Sequence, residues 1–134
     1  MEITVWQAQG RVPVTVMQPH GRLDALSYKE LTNRAQGAVR AGAQAILVDL
    51  SDTPYLSSAG LAALHTVVLM MRGEEPPEEG WEVFHSMERE GSLGLAQHVK
   101  LLNPQPNVSR VLEMAGINDF LEIHTDLAAA VASF

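Results

Sequence analysis

The chain begins with apolar residues at period two and then shifts to helical spacing. Residues 1–8 and 11–18 read as two strands: Val12, Val14 and Val16 alternate with Pro13 and Thr15, and Gln18 bounds the run, the pattern of a half-buried strand. Gly10-Arg11 supplies the turn between them. Pro13 implies that the second strand starts late or lies near an edge, and Pro19-His20-Gly21 marks a break. The following helix has a full set of start signals. Ser27 is a good N-cap with Glu30 three residues on, a capping box, and Leu26 with Leu31 makes a hydrophobic staple. Leu31, Ala35, Ala38 and Val39 share one apolar face, and Gly42 is placed to stop the helix.

Residues 45–50 (Ala-Ile-Leu-Val-Asp-Leu) are almost continuously apolar. Such a run suits a strand buried on both faces or a short buried helix segment. Its β-branched content and the preceding helix favour a parallel strand of a βαβ unit. After a loop broken by Pro54, a helix over 58–71 is apolar nearly all round, so it is either deeply buried or presents a sticky face. Residues 99–102 read as a further strand, 108–115 as a helix ended by Gly116, and 121–124 as a last short strand. A terminal helix follows over 127–133, with Asp126 or Thr125 as its cap. The architecture predicted is α/β, a mixed four- or five-stranded sheet with helices packed mainly on one face.

Charge changes this picture in one place. The net charge is −7; residues 72–90 alone carry seven Glu and two Arg, and the rest carries nine acids and seven bases. The stretch at about 73–97 therefore reads as an acidic insert in a single domain spanning 1–134, dispensable for folding. Within it Trp81, Phe84 and Met87 recur at near-helical spacing, the mark of either a solvated loop or a short helix offered to the body or a partner. No basic stripe exists, which disfavours nucleic-acid binding. The 134 residues include no cysteine, which excludes disulfides, thiolate metal sites and a thiol nucleophile. The acidic, strand-like start lacks a basic n-region. No window approaches the ~18 uninterrupted apolar residues of a membrane span, so the expectation is a cytoplasmic protein without direct membrane contact.

Three short segments carry the candidate chemistry: Gly21-Arg22-Leu23-Asp24 before the first helix, Asp49-Leu50-Ser51 at the end of the buried strand, and Tyr55-Leu56-Ser57-Ser58-Ala59-Gly60-Leu61 at the start of the apolar helix. On residue chemistry alone, Ser57 and Ser58 are most simply N-caps. Only half of a nucleophile elbow is present, with Leu56 before Ser58 and Gly60 after it. His20, His65, His85, His98 and His124 form no i, i+4 pair, so neither a metal site nor a cofactor is expected.

In order and spacing these segments resemble the STAS domain of bacterial anti-sigma factor antagonists. Leu101-Leu102-Asn103, Val111-Leu112 and Ala115-Gly116-Ile117 resemble that family's closing strand and helix. The resemblance implies a non-enzymatic partner switch. Ser58 matches the serine phosphorylated by a partner kinase that is also the anti-sigma factor, and a PP2C-type phosphatase would reset it. Ser57 stands where the family has an aspartate and Ala59 where it has a serine; Gly60 and Leu61 match. Asp24 matches a first-loop aspartate near the phosphosite, and Asp49 an acidic strand-end position. The partner-binding set so implied is Asp24, Asp49, Ser57, Ser58, Gly60 and Leu61. Two alternatives remain open at this level: a STAS adaptor subunit of a larger transporter or signalling assembly that is not phosphorylated, and a receiver-like domain with Asp49 as phosphoacceptor.

Overall fold

The computed structural model describes residues 1–74 and 95–134. Trp81, Phe84 and Met87 lie outside the described residues. The elements run β1 (Glu2–Gln9), β2 (Pro13–His20), α1 (Tyr28–Arg40), β3 (Ile46–Asp49), α2 (Ser58–Met71), β4 (Val99–Leu102), α3 (Pro106–Met114), a 3-10 turn (Ile117–Asp119), β5 (Ile123–His124) and α4 (Leu127–Ala132). The sheet order is β1-β2-β3-β4-β5. β1 and β2 form an antiparallel hairpin, and β3, β4 and β5 add to it in parallel. This is the mixed five-stranded α/β fold predicted. It also differs from the 2-1-3-4-5 order of the doubly wound receiver fold.

β2 starts late, at Pro13, and continues through Pro19, which lies beyond the β2–β3 ladder of Thr15–Met17. The break falls at Gly21, whose φ of 110° favours glycine. The apolar run at 45–50 is a central strand, because both sheet faces are covered. Ile46 and Val48 enter the larger core with α1, α2 and α3, and Leu47 enters a smaller one with Val14, Val16, Leu102, Ala130 and Val131. The helices therefore pack mainly on one face, and among the described residues α4 is the helix that covers the other. Lys100 pins α4 down: its Nζ donates to Ser133 O at 3.0 Å and Oγ at 2.9 Å and pairs with Glu122 at 2.9 Å. α2 is buried on most of its sides, Gly60, Leu61, Ala63, Leu64, Val67, Val68 and Leu69 among them, which resolves its all-round apolar pattern in favour of burial.

The start of α1 departs from its sequence signals. Ser27 precedes Tyr28, but its hydroxyl makes no capping bond. The Oγ donates to Arg22 O at 2.6 Å and accepts from Asp24 N–H at 3.1 Å, closing the β2–α1 loop on itself. The Glu30 carboxylate pairs with the amino terminus of Met1. Leu31 is buried while Leu26 is 94% exposed, so neither the capping box nor the staple forms. The reason is that the loop uses Ser27 to turn the chain toward α2. The far end of α1 is as predicted: Gly42 adopts φ 89°, and the amides of Gly42 and Ala43 return to Val39 O and Ala38 O, both at 3.0 Å, a Schellman closure. α2 ends the same way at Gly73 and Glu74, bonded to Met70 O and Leu69 O at 3.0 Å.

The acidic stretch is thus tied down at both borders. Gly73 and Glu74 close α2, and Ala96 is buried in the core with its N–H on Phe120 O at 2.7 Å. Among the described residues, no helix is long and apolar enough to cross a membrane.

Two outcomes follow from this arrangement. Excising residues 76–94 and joining the ends with a Gly-Ser linker, which spares those border contacts, is expected to lower Tm by less than ~10 °C, where each ~1 kcal/mol moves Tm by ~3–6 °C at this size. A larger fall by scanning calorimetry would assign Trp81 and Phe84 to the core. Leu26→Ala is expected to stay within ~0.5 kcal/mol of wild type in urea unfolding, against ~2–5 kcal/mol for Leu31→Ala. Equal costs would restore the staple.

Candidate functional site

The three segments singled out in the sequence converge beyond the carboxyl ends of the parallel strands, where open α/β sheets present their loops. Their junction is a two-residue parallel bridge outside the main sheet. Leu23 pairs with Leu56: Leu23 N–H donates to Tyr55 O and Ser57 N–H to Leu23 O, both at 3.0 Å. Both leucines are buried. The bridge sets Asp24, the next residue along one loop, beside the Ser57-Ser58 start of α2.

Gly60 makes this approach possible. A Cβ on Gly60 would sit 2.5 Å from Leu23 O and 2.5 Å from Leu56 Cδ1, closer than atoms tolerate. The first turn of α2 therefore lies directly on the β2–α1 loop, and only a residue without a side chain fits between them. Gly60 and Leu61 are both buried, so they shape the surface from beneath it.

The two serines separate clearly. Ser57 is the N-cap, extended at φ −92° and ψ 177°, with its Oγ accepting from Gly60 N–H at 3.3 Å. Ser58 is the first helical residue and is exposed. The capping alternative for both serines thus holds for Ser57 alone. Serine and aspartate are comparable caps, so Ser57 keeps the capping function that an aspartate at its position would supply. Ser58 has its hydroxyl at the positive end of a 14-residue helix.

Asp24 is half-buried and locally engaged. Its Oδ1 accepts from Leu26 N–H at 3.0 Å and from Ser27 Oγ at 3.3 Å, and its Oδ2 stands 3.6 Å from Arg22 Nε. Arg22 in turn stacks its guanidinium over the Tyr55 ring, 4.7 Å from the centroid, a cation–π contact across the two loops. Asp49 accepts from Ser51 N–H at 3.0 Å through Oδ1. It turns the chain out of β3 at the same end of the sheet. Among the described residues, no group of three His, Asp or Glu could hold a metal ion.

Several residues that hold the site carry no sequence signal. The loop at 51–55 is stitched to β2 on one side: Gly21 N–H donates to Asp52 O at 3.0 Å, buried Thr53 donates through Oγ1 to Pro19 O at 3.3 Å, and Gln18 Nε2 donates to Ser51 Oγ at 3.1 Å. His20 bridges Thr4 at 2.7 Å and Asp52 at 2.5 Å through its two ring nitrogens. On the other side Gln105 Nε2 donates to Ser51 O at 3.0 Å and Asn107 Nδ2 donates to Pro54 O. The partners are 16 to 54 residues apart, so no local spacing announces them. The result is a loop held from two sides, next to a helix start at which Ser58 is exposed.

A family model described as the STAS domain matches residues 5–74. Similar solved structures include a Thermotoga maritima protein described as an anti-sigma factor antagonist, 17% identical, TM-score 0.65, covering 87% of this chain and 83% of that one. An anti-sigma factor antagonist from Mycobacterium paratuberculosis is 21% identical, TM-score 0.62, covering 97% and 94%. The Bacillus cell fate determinant SpoIIAA in its phosphorylated form is 15% identical, TM-score 0.59, covering 96% of each chain. No curated protein sequence matches the chain.

The close approach at Gly60 has a measurable consequence. Gly60→Ala is expected to destabilise the protein by ~1–3 kcal/mol, the usual cost of overpacking, and to displace the β2–α1 loop. Urea unfolding measures the first, and amide exchange at Leu23 and Ser57 the second. Wild-type stability in this variant would show that the two loops are not in contact.

Proposed function

The chain belongs to the STAS domain family, and from that premise we propose that it is an anti-sigma factor antagonist that works as a partner switch through Ser58. With Ser58 unmodified it binds an anti-sigma factor that is also a serine kinase, and a sigma factor is freed. Transfer of the γ-phosphoryl group of ATP to Ser58 Oγ ends the complex, and a PP2C-type phosphatase hydrolyses the phosphoserine to reset it. The chain acts in the cytoplasm by binding, not by catalysis.

One observation carries this reading: the exposed hydroxyl at the first residue of α2 belongs to Ser58, while Ser57 is occupied as the cap. A phosphate at that position adds roughly −1.5 to −2 charges. The unpaired amides and dipole of the helix start accept that charge, so the fold survives the modification. The binding surface does not. Asp24 and Asp49 are at the same end of the sheet, and a partner complementary to a neutral hydroxyl there meets a dianion instead. Desolvating an unmatched charge at an interface is costly. In this reading Asp24, Ser57 and Ser58 form the contact rim, Asp49 completes the strand end, and Gly60 and Leu61 hold the rim in place from below. SpoIIAA, a structural neighbour, has been solved in both unphosphorylated and phosphorylated forms, and the same pair of states is proposed here.

The test uses three proteins. Wild type incubated with the cognate kinase and ATP is expected to carry phosphate on Ser58 by phosphopeptide mapping. Ser58→Ala is expected to bind the kinase normally and take no label. Ser58→Asp is expected to unfold near the wild-type temperature yet bind at least tenfold more weakly, a loss of ~1.4 kcal/mol. Wild-type protein that takes no phosphate, or takes it on Ser57, Ser51 or Thr53, would overturn the switch and leave the constitutive STAS adaptor as the reading.

A further inference from the structure

β1 is an eight-residue edge strand, and among the described residues no strand pairs with its outer side. Such an edge presents a row of backbone N–H and C=O groups suited to another strand. Within β1 the residues that usually blunt an edge are missing. The sequence Glu-Ile-Thr-Val-Trp-Gln-Ala-Gln holds no proline and no lysine, and its single charge is at its first residue. At the opposite side of the sheet, β5 is two residues long.

The side chains at the middle of β1 point the same way. Val5 pairs with Met17, which is buried on the α1/α2 face, and Trp6 pairs with Val16, which is buried on the α4 face. Cross-strand partners share a face, so β1 carries one large apolar side chain on each face at its centre. Val5 is 39% exposed and Trp6 41%. A bound strand would cover both at once.

We propose that the free edge of β1 is a self-association surface, where a second copy of this chain adds its own β1 antiparallel, with the two Trp6 residues opposed across the dyad. The occupant follows from symmetry and charge. A two-fold axis perpendicular to the sheet at Trp6 pairs Ile3 with Gln9 of the partner subunit, Thr4 with Ala8 of the partner subunit, and Val5 with Gln7 of the partner subunit. All seven residues from 3 to 9 are uncharged, so no like charges meet despite a net charge of −7 per chain. Glu2 falls opposite Gly10 of the partner subunit, next to Arg11 of the partner subunit, so opposite charges meet at both ends. An axis at Val5 would instead oppose Glu2 to Ala8 of the partner subunit and lose that match. Opposed indoles at the centre supply the buried aromatic anchor typical of interfaces. The product is a continuous ten-stranded sheet, two copies of the five-stranded one, and the Ser58 surface stays outside the contact.

The test is light scattering and sedimentation of the full chain over a dilution series. The expected mass is twice the 14.6 kDa of one chain, falling to one chain on dilution. Trp6→Lys is expected to weaken self-association at least ~30-fold with its thermal unfolding retained. The chain has no cysteine, so a pair introduced at opposed positions flanking Trp6 reports the register whatever the folding of the lysine variant. Cα atoms of directly opposed residues lie ~4.5–5.5 Å apart, within the ~4.4–6.8 Å reach of a disulfide. The double variant Thr4→Cys/Ala8→Cys, which keeps Trp6, is therefore expected to cross-link on mild oxidation, and Thr4→Cys alone is not. A wild-type mass of one chain at every concentration would overturn the proposal. So would a Trp6→Lys protein that remains dimeric, or a Thr4→Cys/Ala8→Cys protein that is dimeric yet does not cross-link.

Discussion

The Leu23–Leu56 bridge and the bare Cα of Gly60 beneath it constrain everything else at the working end of this molecule. Two backbone hydrogen bonds at 3.0 Å hold the β2–α1 loop against the segment entering α2. That contact exists because nothing at Gly60 stands between Leu23 O and the helix. From it follow the place of Asp24 beside the helix start, the use of Ser27 to close its own loop, and the loss of the staple at Leu26. Local helix signals at Ser27 were strong, but a hydroxyl can satisfy one geometry at a time. The loop bond to Arg22 O serves the tertiary contact, which outweighs a cap worth ~1 kcal/mol.

Behind that contact is a sheet covered unequally on its two faces. α1, α2 and α3 bury one face, while the six-residue α4 buries part of the other, anchored by Lys100. This inequality accompanies a β4 buried throughout, a β3 buried except at Asp49, and a β1 mostly exposed. β1 lies at the margin of the cover: Ile3 and Ala8 enter the cores near its ends, and its apolar centre at Val5 and Trp6 stays accessible. The same sheet thus carries two separate surfaces: the loops at the strand ends, where the proposed switch sits, and the open edge of β1.

The chemistry of the proposed switch depends on dividing labour between adjacent serines. Ser57 satisfies an amide of the first turn, which keeps the helix start intact in either state. Ser58 is left to present a hydroxyl to whatever binds. Charge added there meets a helix terminus that favours it, so its effect falls on recognition and not on folding. The bonds from Gln18, Thr53, Gln105 and Asn107 tie the 51–55 loop to β2 on one side and to the start of α3 on the other, beside that hydroxyl.

Local patterning indicated the strands, the helices and the closing glycines Gly42 and Gly116, with β-branched content and the preceding helix favouring a strand at 45–50, because each depends on residues a few positions apart. The burial of residues 46–48 on both sides was equally legible, since no half-exposed strand would carry so unbroken an apolar run. Family resemblance marked Ser58, Asp24 and Asp49 and set Ser58 apart from Ser57, where residue chemistry alone read both serines as caps. Only the tertiary structure decided that Ser57 caps, that Ser27 and Leu26 do not act as cap and staple, and that Gly60 is a point of close approach. It also revealed the stitching of the 51–55 loop and the open edge of β1. The physical reason is the same in each case: these features depend on which of two available partners a group meets across the fold, and that choice is made by packing between segments distant in the chain, not by local spacing.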